Sequence, residues 1–255
     1  MKFELSHWFL VFARAGALLA VFPLFSEQDV PVRLRLALAA FMSFFATALL
    51  PAYPVADLSF WSLLRLVFGE ASVGLLLGFV CRFIFYAIDF AGGIVGTEVG
   101  LMLSSAFNPL GANATPVPGI ILYWLALMLL LTLDLHHWLI AAFQRSYVLL
   151  PIGAAHLSEA LALEVLRRSS EIFRIAVEMT APVIAVSFVI TLVFSLLSRA
   201  VPQMNVFTES FPVRTLAGLA VFGLTFHLMA QHIENYLHRL PEDLVRIGQL
   251  LGSGA

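Results

Sequence analysis

The sequence predicts an all-α, polytopic hydrophobic protein of about six long helical segments, and two observations lead there. The first is composition: 61% of the 255 residues are hydrophobic and only 12% are charged. A soluble domain carries about 25% charged residues, because its exterior needs them. The second is pattern. The apolar residues form long continuous runs, whereas a transmembrane barrel would alternate polarity in short segments. This composition also disfavours a soluble enzyme, a disordered chain and a nucleic-acid binder, and a net charge of −2 offers phosphate no basic face. Cys81 is the single cysteine, so an internal disulfide and a cysteine-rich metal cluster are excluded.

The first segment is about Leu5–Phe25, interrupted by Arg14. Its beginning resembles a signal peptide in hydropathy, but Glu4 accompanies Lys2 and Arg14 breaks the apolar core, so Met1–Ala20 is expected to stay as a helix. The second segment, about Leu34–Leu50, ends at Pro51 and Pro54. The third, about Leu63–Ile88, contains Arg65, Glu70 and Arg82. Pro116 and Pro118 precede the fourth, about Gly119–Ala142. Charged residues and near-helical apolar spacing make residues 156–178 an amphipathic connector. The fifth and sixth segments, about Val177–Ser198 and Thr215–Tyr236, are the cleanest, and Glu234–Gly248 is again charged and amphipathic. If the segments alternate across a bilayer, one side collects Lys2, Arg145, Arg167, Arg168, Arg174, Arg239 and Arg246. The other collects Arg33, Arg35, Arg199 and Arg214, so the orientation signal is mixed.

Charges at membrane depth are costly and need protein or water around them. Arg65, Glu70, Arg82, Asp89 and Glu98 lie in or beside apolar sequence, and read either as ion pairs between helices or subunits or as an ion pathway. Gly74 and Gly78 form a GxxxG pair, and Gly92, Gly96 and Gly100 a second ladder; on one helix face such glycines admit a neighbouring backbone. Ser104–Gly119 holds three prolines, two glycines and two asparagines, which exclude a regular helix there. It reads as an exposed loop or as a re-entrant or pore-lining one, in which Phe107 and Leu110 are apolar constriction candidates. His136 and His137 are adjacent, so they project about 100° apart on a helix and are not expected to face one metal. No nucleophile–base pattern or zinc motif is present, and no cofactor is expected. Between the fifth and sixth segments, Pro202 and Pro212 bracket a polar and aromatic turn, with Arg199 and Arg214 closing its helices.

That turn, Arg199-Ala-Val-Pro-Gln-Met-Asn-Val-Phe-Thr-Glu-Ser-Phe-Pro-Val-Arg214, resembles the signature of the FliR/SctT family of type III secretion export-gate proteins. Residues 22–39 (FPLFSEQDVPVRLRLALA), 95–109 (VGTEVGLMLSSAFNP) and 133–153 (LDLHHWLIAAFQRSYVLLPIG) are similar to it too, and the last of these points to the flagellar branch. The resemblance implies a structural channel component, not an enzyme. Such a component forms the substrate pore with FliP and FliQ, meets FlhB and FlhA, and passes unfolded secreted proteins. It implies a multi-pass protein of the bacterial inner membrane at the flagellar basal body, bearing lipid contacts and no nucleic acid. It also implies a fusion: residues 1–155 FliP-like, a connector at 156–178, a FliQ-like hairpin at 179–240 and a tail at 241–255. By position, residues 102–118 match the family's plug-like loop, with Met102, Phe107, Asn108, Pro109 and Leu110 as the gate residues. Asn108 departs from the Asp-Pro often seen there. Arg199, Pro202, Gln203, Asn205, Phe207, Phe211 and Pro212 match the subunit-contact turn, where FlhB is expected. The alternatives are a virulence-type injectisome component and, more remotely, a proton-coupled transporter using Asp89 or Glu98.

Overall fold

A computed structural model describes residues 5–26, 30–50, 59–102, 116–155, 158–203 and 205–252. These residues form α1 (Leu5–Val21), α2 (Pro23–Ser26), α3 (Val32–Leu49), α4 (Phe60–Glu98), α5 (Val117–Thr132) and α6 (Leu135–Leu149). They continue as α7 (Glu159–Ala200), α8 (Val206–Leu237) and α9 (Leu240–Gly252), with no strand among the described residues. The fold is therefore all-α. By length and composition four helices can cross a membrane, or five if α5 and α6 count as one broken span.

Two segments are longer than their hydropathy suggests. The third runs on to Glu98, because nothing between Ile88 and Glu98 breaks a helix: Asp89, Thr97 and Glu98 are tolerated on its wetter faces. The stretch 156–178 and the fifth segment join in one 42-residue helix, α7, with Pro182 inside it. Amphipathic and wholly apolar sequence can share one helix, because the polarity change alters its surroundings and not its backbone. The turn before α8 is shorter than expected. Asn205 accepts from the Glu209 amide at 3.1 Å and from the Thr208 hydroxyl at 3.0 Å, so α8 begins at Val206. Phe211 and Pro212 thus sit inside a helix instead of closing a loop.

The helices gather into two compact units. One comprises Met1–Phe83, Leu130–Ser169 and Leu237–Ala255, the other Ile84–Leu129 and Ser170–Tyr236. In the first, α1 buries His7, Leu10, Val11, Arg14, Ala15, Leu18 and Leu19, a stripe at helical spacing. It packs on α3 and on the first half of α4. The terminal helix α9 buries Leu240, Leu244, Ile247, Gly248 and Leu251 against α6 and leaves Glu242, Arg246 and Gln249 outside. Gly252 lies at the Leu149 carbonyl, which an added Cβ would meet at 2.6 Å. In the second unit, Ile88, Ala91, Val95, Leu122, Ala126, Met179 and Val183 are buried, whereas α7 and α8 expose most of their apolar side chains.

The α1–α4 approach is backbone-close. A Cβ on Gly74 would stand 2.2 Å from the Arg14 carbonyl oxygen, and one on Gly78 would stand 2.7 Å from that of Leu18. These are helix carbonyls and cannot swing aside. Gly74→Ala is therefore expected to part the two helices and cost about 1–3 kcal/mol, as overpacking in a tight core does. Gly69→Ala, where a Cβ meets nothing within 4 Å, should leave stability unchanged. Thermal unfolding of the two variants in detergent checks this. Equal melting temperatures would contradict it.

Candidate functional site

Arg14 is completely buried inside an apolar helix, so every donor must find a partner. Its Nε donates to Glu70 Oε2 at 2.7 Å, and Glu70 is 1% exposed. Nη1 donates to Ser146 Oγ at 3.0 Å, and Nη1 and Nη2 both donate to the Leu150 carbonyl at 3.2 Å. The guanidinium carbon sits 3.9 Å from the Tyr147 ring centre, a cation–π contact. Glu70 Oε1 in turn accepts from the Gly153 amide at 3.1 Å. Gly153 has φ +81°, a left-handed conformation that glycine adopts without strain. The cluster ties together α1, α4, α6 and the turn after α6. All of it lies within the first unit.

A second junction lies in the other unit, at the end of α4. Gly92 faces Gly119, where an added Cβ would meet the Gly119 Cα at 2.1 Å. Gly96 faces both Pro116, at 2.5 Å from such a Cβ, and Met102, at 3.4 Å. The Met102 amide also donates to the Gly96 carbonyl at 3.3 Å. Gly100 is not the third rung of a helical ladder. It lies beyond α4 with φ +84° and faces Phe211, because the chain must turn there. Around this turn Thr215 Oγ1 donates to the Val99 carbonyl at 2.8 Å, and Ser187 Oγ donates to the Glu98 carboxylate. Met102 and Pro116, the residues flanking 103–115, thus both sit at Gly96.

Of the charges flagged in sequence, Glu70 is paired as above. Arg82 donates to Ser26 Oγ at 2.9 Å, Glu98 takes the Ser187 hydroxyl, and Arg65 and Asp89 are exposed. Phe107, Asn108, Pro109 and Leu110 lie outside the described residues, as does the Phe207 side chain. Pro202, Gln203 and Asn205 are exposed in the turn, and Arg199 is exposed in the last turn of α7. Phe211 is half-buried against Gly100, and Pro212 is exposed one residue on. Arg214 does not end a helix; it hydrogen-bonds Thr191 from within α8. Gly74 and Gly78, in α4, pack against the α1 backbone.

The histidine expectation needs correction. His136 and His137 rings lie 4.1 Å apart, and their nitrogens and an Asp134 oxygen fall within 4.8 Å of one another. Helical projection constrains Cβ, whereas imidazole nitrogens further out can converge. Of these, His137 Nδ1 lies 3.4 Å from Asp134 Oδ1. His137 and Asp134 are also 68% and 73% exposed.

Arg14 had only the appearance of an interruption in sequence, and its partners Ser146, Tyr147 and Leu150, like the Gly153 amide that holds Glu70, carry no signal at all. Opposite intramembrane charges in two helices were the available clue. Removing one partner of a buried pair strands the other charge, at about 3–5 kcal/mol, whereas an apolar replacement of both can be neutral. Arg14→Met and Glu70→Met should each sharply lower the melting temperature, and the double substitution should lie nearer the parent. A double variant as unstable as the sum of the singles would show that the pair is not coupled.

The comparisons with known proteins agree along the chain. Residues 5–240 match the family described as bacterial export proteins, family 1. The chain is 31% identical to the flagellar biosynthetic protein FliR of Escherichia coli K12 over 94% of its own length and 93% of that protein. It is 29% identical to FliR of Bacillus subtilis 168, over 95% of each chain. With FliR of Caulobacter vibrioides the identity is 31%, covering 85% and 86% of the two chains. With a family match across nearly the whole chain, and relatives matched almost end to end, this chain belongs to the bacterial export proteins of family 1, the FliR family.

Proposed function

We propose that the chain is a structural, non-enzymatic channel component of the flagellar type III protein export gate, in the bacterial inner membrane at the flagellar base. The observation that carries this reading is the near end-to-end match to FliR proteins, covering 94% of this chain and 93% of the Escherichia coli relative. The relatives in Bacillus and Caulobacter also bear flagellar names, which favours the flagellar branch over the virulence one. In this reading the chain forms the substrate pore with FliP-like and FliQ-like subunits. Its residues 1–155 play the FliP-like part, 156–178 connect, and 179–240 form the FliQ-like hairpin. Unfolded secreted proteins pass through. FlhB and FlhA dock from the cytoplasmic side, with the exposed turn Pro202, Gln203 and Asn205 as the FlhB contact.

Residues 102–118 act as the plug. Support comes from their flanks: Met102 and Pro116 meet at Gly96, so the segment leaves and returns at one place. Apolar side chains such as Phe107 and Leu110 can close a narrow pore by dewetting. The glycine at the base lets the two flanks approach.

Deleting Phe107–Gly111 should leave the assembled complex intact and raise ion leak in a conductance assay. An unchanged leak with normal assembly would refute the plug role. A proton-coupled transporter would need free carboxylates at Asp89 or Glu98, and Glu98 already holds the Ser187 hydroxyl. Asp89→Asn and Glu98→Gln should therefore leave proton-driven uptake of solutes untouched and at most slow export of a flagellar protein. Loss of solute uptake in either variant would favour the transporter.

A further inference from the structure

We propose that Asp134, His136 and His137 form a binding site for a divalent transition-metal ion, and that zinc is the ion their donor set fits best. All three lie at the break between α5 and α6, within the first unit. Each offers one ligand atom, and the three atoms fall within 4.8 Å of one another. A tetrahedral zinc ion with bonds of about 2.0–2.1 Å holds neighbouring donors about 3.4 Å apart. His137 Nδ1 and Asp134 Oδ1 already stand 3.4 Å apart, so they form one edge of that tetrahedron. The His136 donor needs only a small inward shift. Rotation about its Cβ–Cγ bond supplies it, because that torsion is soft in imidazoles.

The backbone and the side chains carry independent marks of a site. An aspartate at a helix N-cap ordinarily accepts from an amide of the first turn. Asp134 is the N-cap of α6, yet its carboxylate makes no such bond and faces His137 instead. Its φ of +55° is left-handed, and among the described residues no other non-glycine has a positive φ. Backbone strain of this kind persists where the surroundings enforce it, and it gathers at ligand sites. His136 adds a separate observation. Its Nδ1 is buried and has no hydrogen-bond partner among the described residues. A buried polar atom in that state is costly, and coordination by the ring gives it a role.

The donors also select the ion. One carboxylate between two imidazoles attracts a cation and repels phosphate. Calcium and magnesium take oxygen ligands, whereas imidazole suits zinc, copper and nickel. Three protein donors leave a fourth position for water. Asp134 and His137 are 73% and 68% exposed, which gives that water, and the entering ion, a path from solution. Bound there, the ion ties the left-handed residue at the break to the first turn of α6.

The test uses the full chain in detergent, purified without a polyhistidine tag and stripped with a chelator. Cobalt and zinc are the probes. One cobalt ion per chain should bind with the visible absorption of a four-coordinate ion, and zinc should displace it. Asp134→Asn, His136→Gln and His137→Gln should each weaken zinc binding by at least about tenfold, since losing even a residue that only orients a metal ligand changes affinity about 10–100-fold. Asparagine tolerates the left-handed backbone, so Asp134→Asn removes the charge and keeps the turn. His227→Gln, an exposed histidine on α8, should leave binding unchanged. Zinc should raise the melting temperature of the parent and not that of the three variants. Asp134 and His137 are exposed, so their substitutions carry the test even where His136→Gln unfolds the chain. Failure of the parent to bind cobalt or zinc overturns the proposal, and leaves the Asp134–His137 pair as a plain helix-start contact. Equal binding by the parent and by Asp134→Asn and His137→Gln overturns it too, because the ion then sits elsewhere.

Discussion

The burial of Arg14 is the constraint from which the first unit follows. A guanidinium cut off from water is tolerable only with a counter-charge and a full set of acceptors. Glu70 supplies the charge from α4, and Ser146 and the Leu150 carbonyl supply the rest. To reach it, α1 and α4 must come into backbone contact. Glu70, Gly74 and Gly78 fall at i, i+4 and i+8 on one face of α4, and Gly74 stands against the carbonyl of Arg14 itself. The ion pair and the glycine pair are thus one device: the glycines permit the approach, and the charges require it. Gly153 completes the device, since its left-handed turn aims an amide at the second Glu70 oxygen.

The junction in the second unit is built from weaker parts. Its glycines also allow backbone contact, but the links across it are a threonine hydroxyl on Val99, a serine hydroxyl on Glu98 and a methionine amide on Gly96. A neutral hydrogen bond contributes about 0.5–1.5 kcal/mol net and one to a charged group about 1.5–3, whereas breaking a buried ion pair costs about 3–5. The flanks of residues 103–115 are held by the contacts that yield first.

Much of the fold was legible because periodicity and hydropathy report burial directly. Each of the six apolar runs contains a helix, and the α9 stripe was visible in the charged, amphipathic pattern of Glu234–Gly248. The helix ends were less legible. The third apolar segment ran to about Ile88, yet the helix continues to Glu98, since carboxylates on a wet face do not break a helix. Phe211–Pro212 looked like the end of a turn, but Asn205 had already started α8. Glycine spacing identified where helices touch, although not what each glycine touches: Gly92 meets Gly119, whereas Gly100 leaves the helix altogether. Apart from Glu70, the partners of Arg14 were not legible, because they are a backbone carbonyl, a serine and an aromatic ring more than 130 residues away in sequence. Nothing local marks residues that are chosen by tertiary position.

The outward apolar surface demands more than lipid. The most apolar 18-residue stretch of α4 is 61% buried within the chain, but those of α7 and α8 are only 17% buried. With a rise of about 1.5 Å per residue, the 42 residues of α7 extend about 63 Å, roughly twice the hydrocarbon core of a bilayer. Its N-terminal third exposes Leu163, Leu166 and Phe173 on the same turns as Arg167, Glu171 and Arg174. Hydrocarbon would reject those charges, and water would gain nothing from the apolar side chains between them. A mixed surface of that kind is satisfied by another protein surface, with apolar contacts at its centre and ion pairs at its rim. Further along, Phe188, Val189, Leu192, Val193, Leu196 and Leu197 are exposed with no charge among them, a surface that either lipid or another helix can cover. One continuous helix thus needs protein contact at its start and accepts lipid or protein towards its end. A subunit that stacks against its neighbours over part of its length meets both requirements, and its 61% hydrophobic composition then reflects assembly contacts as well as membrane contacts.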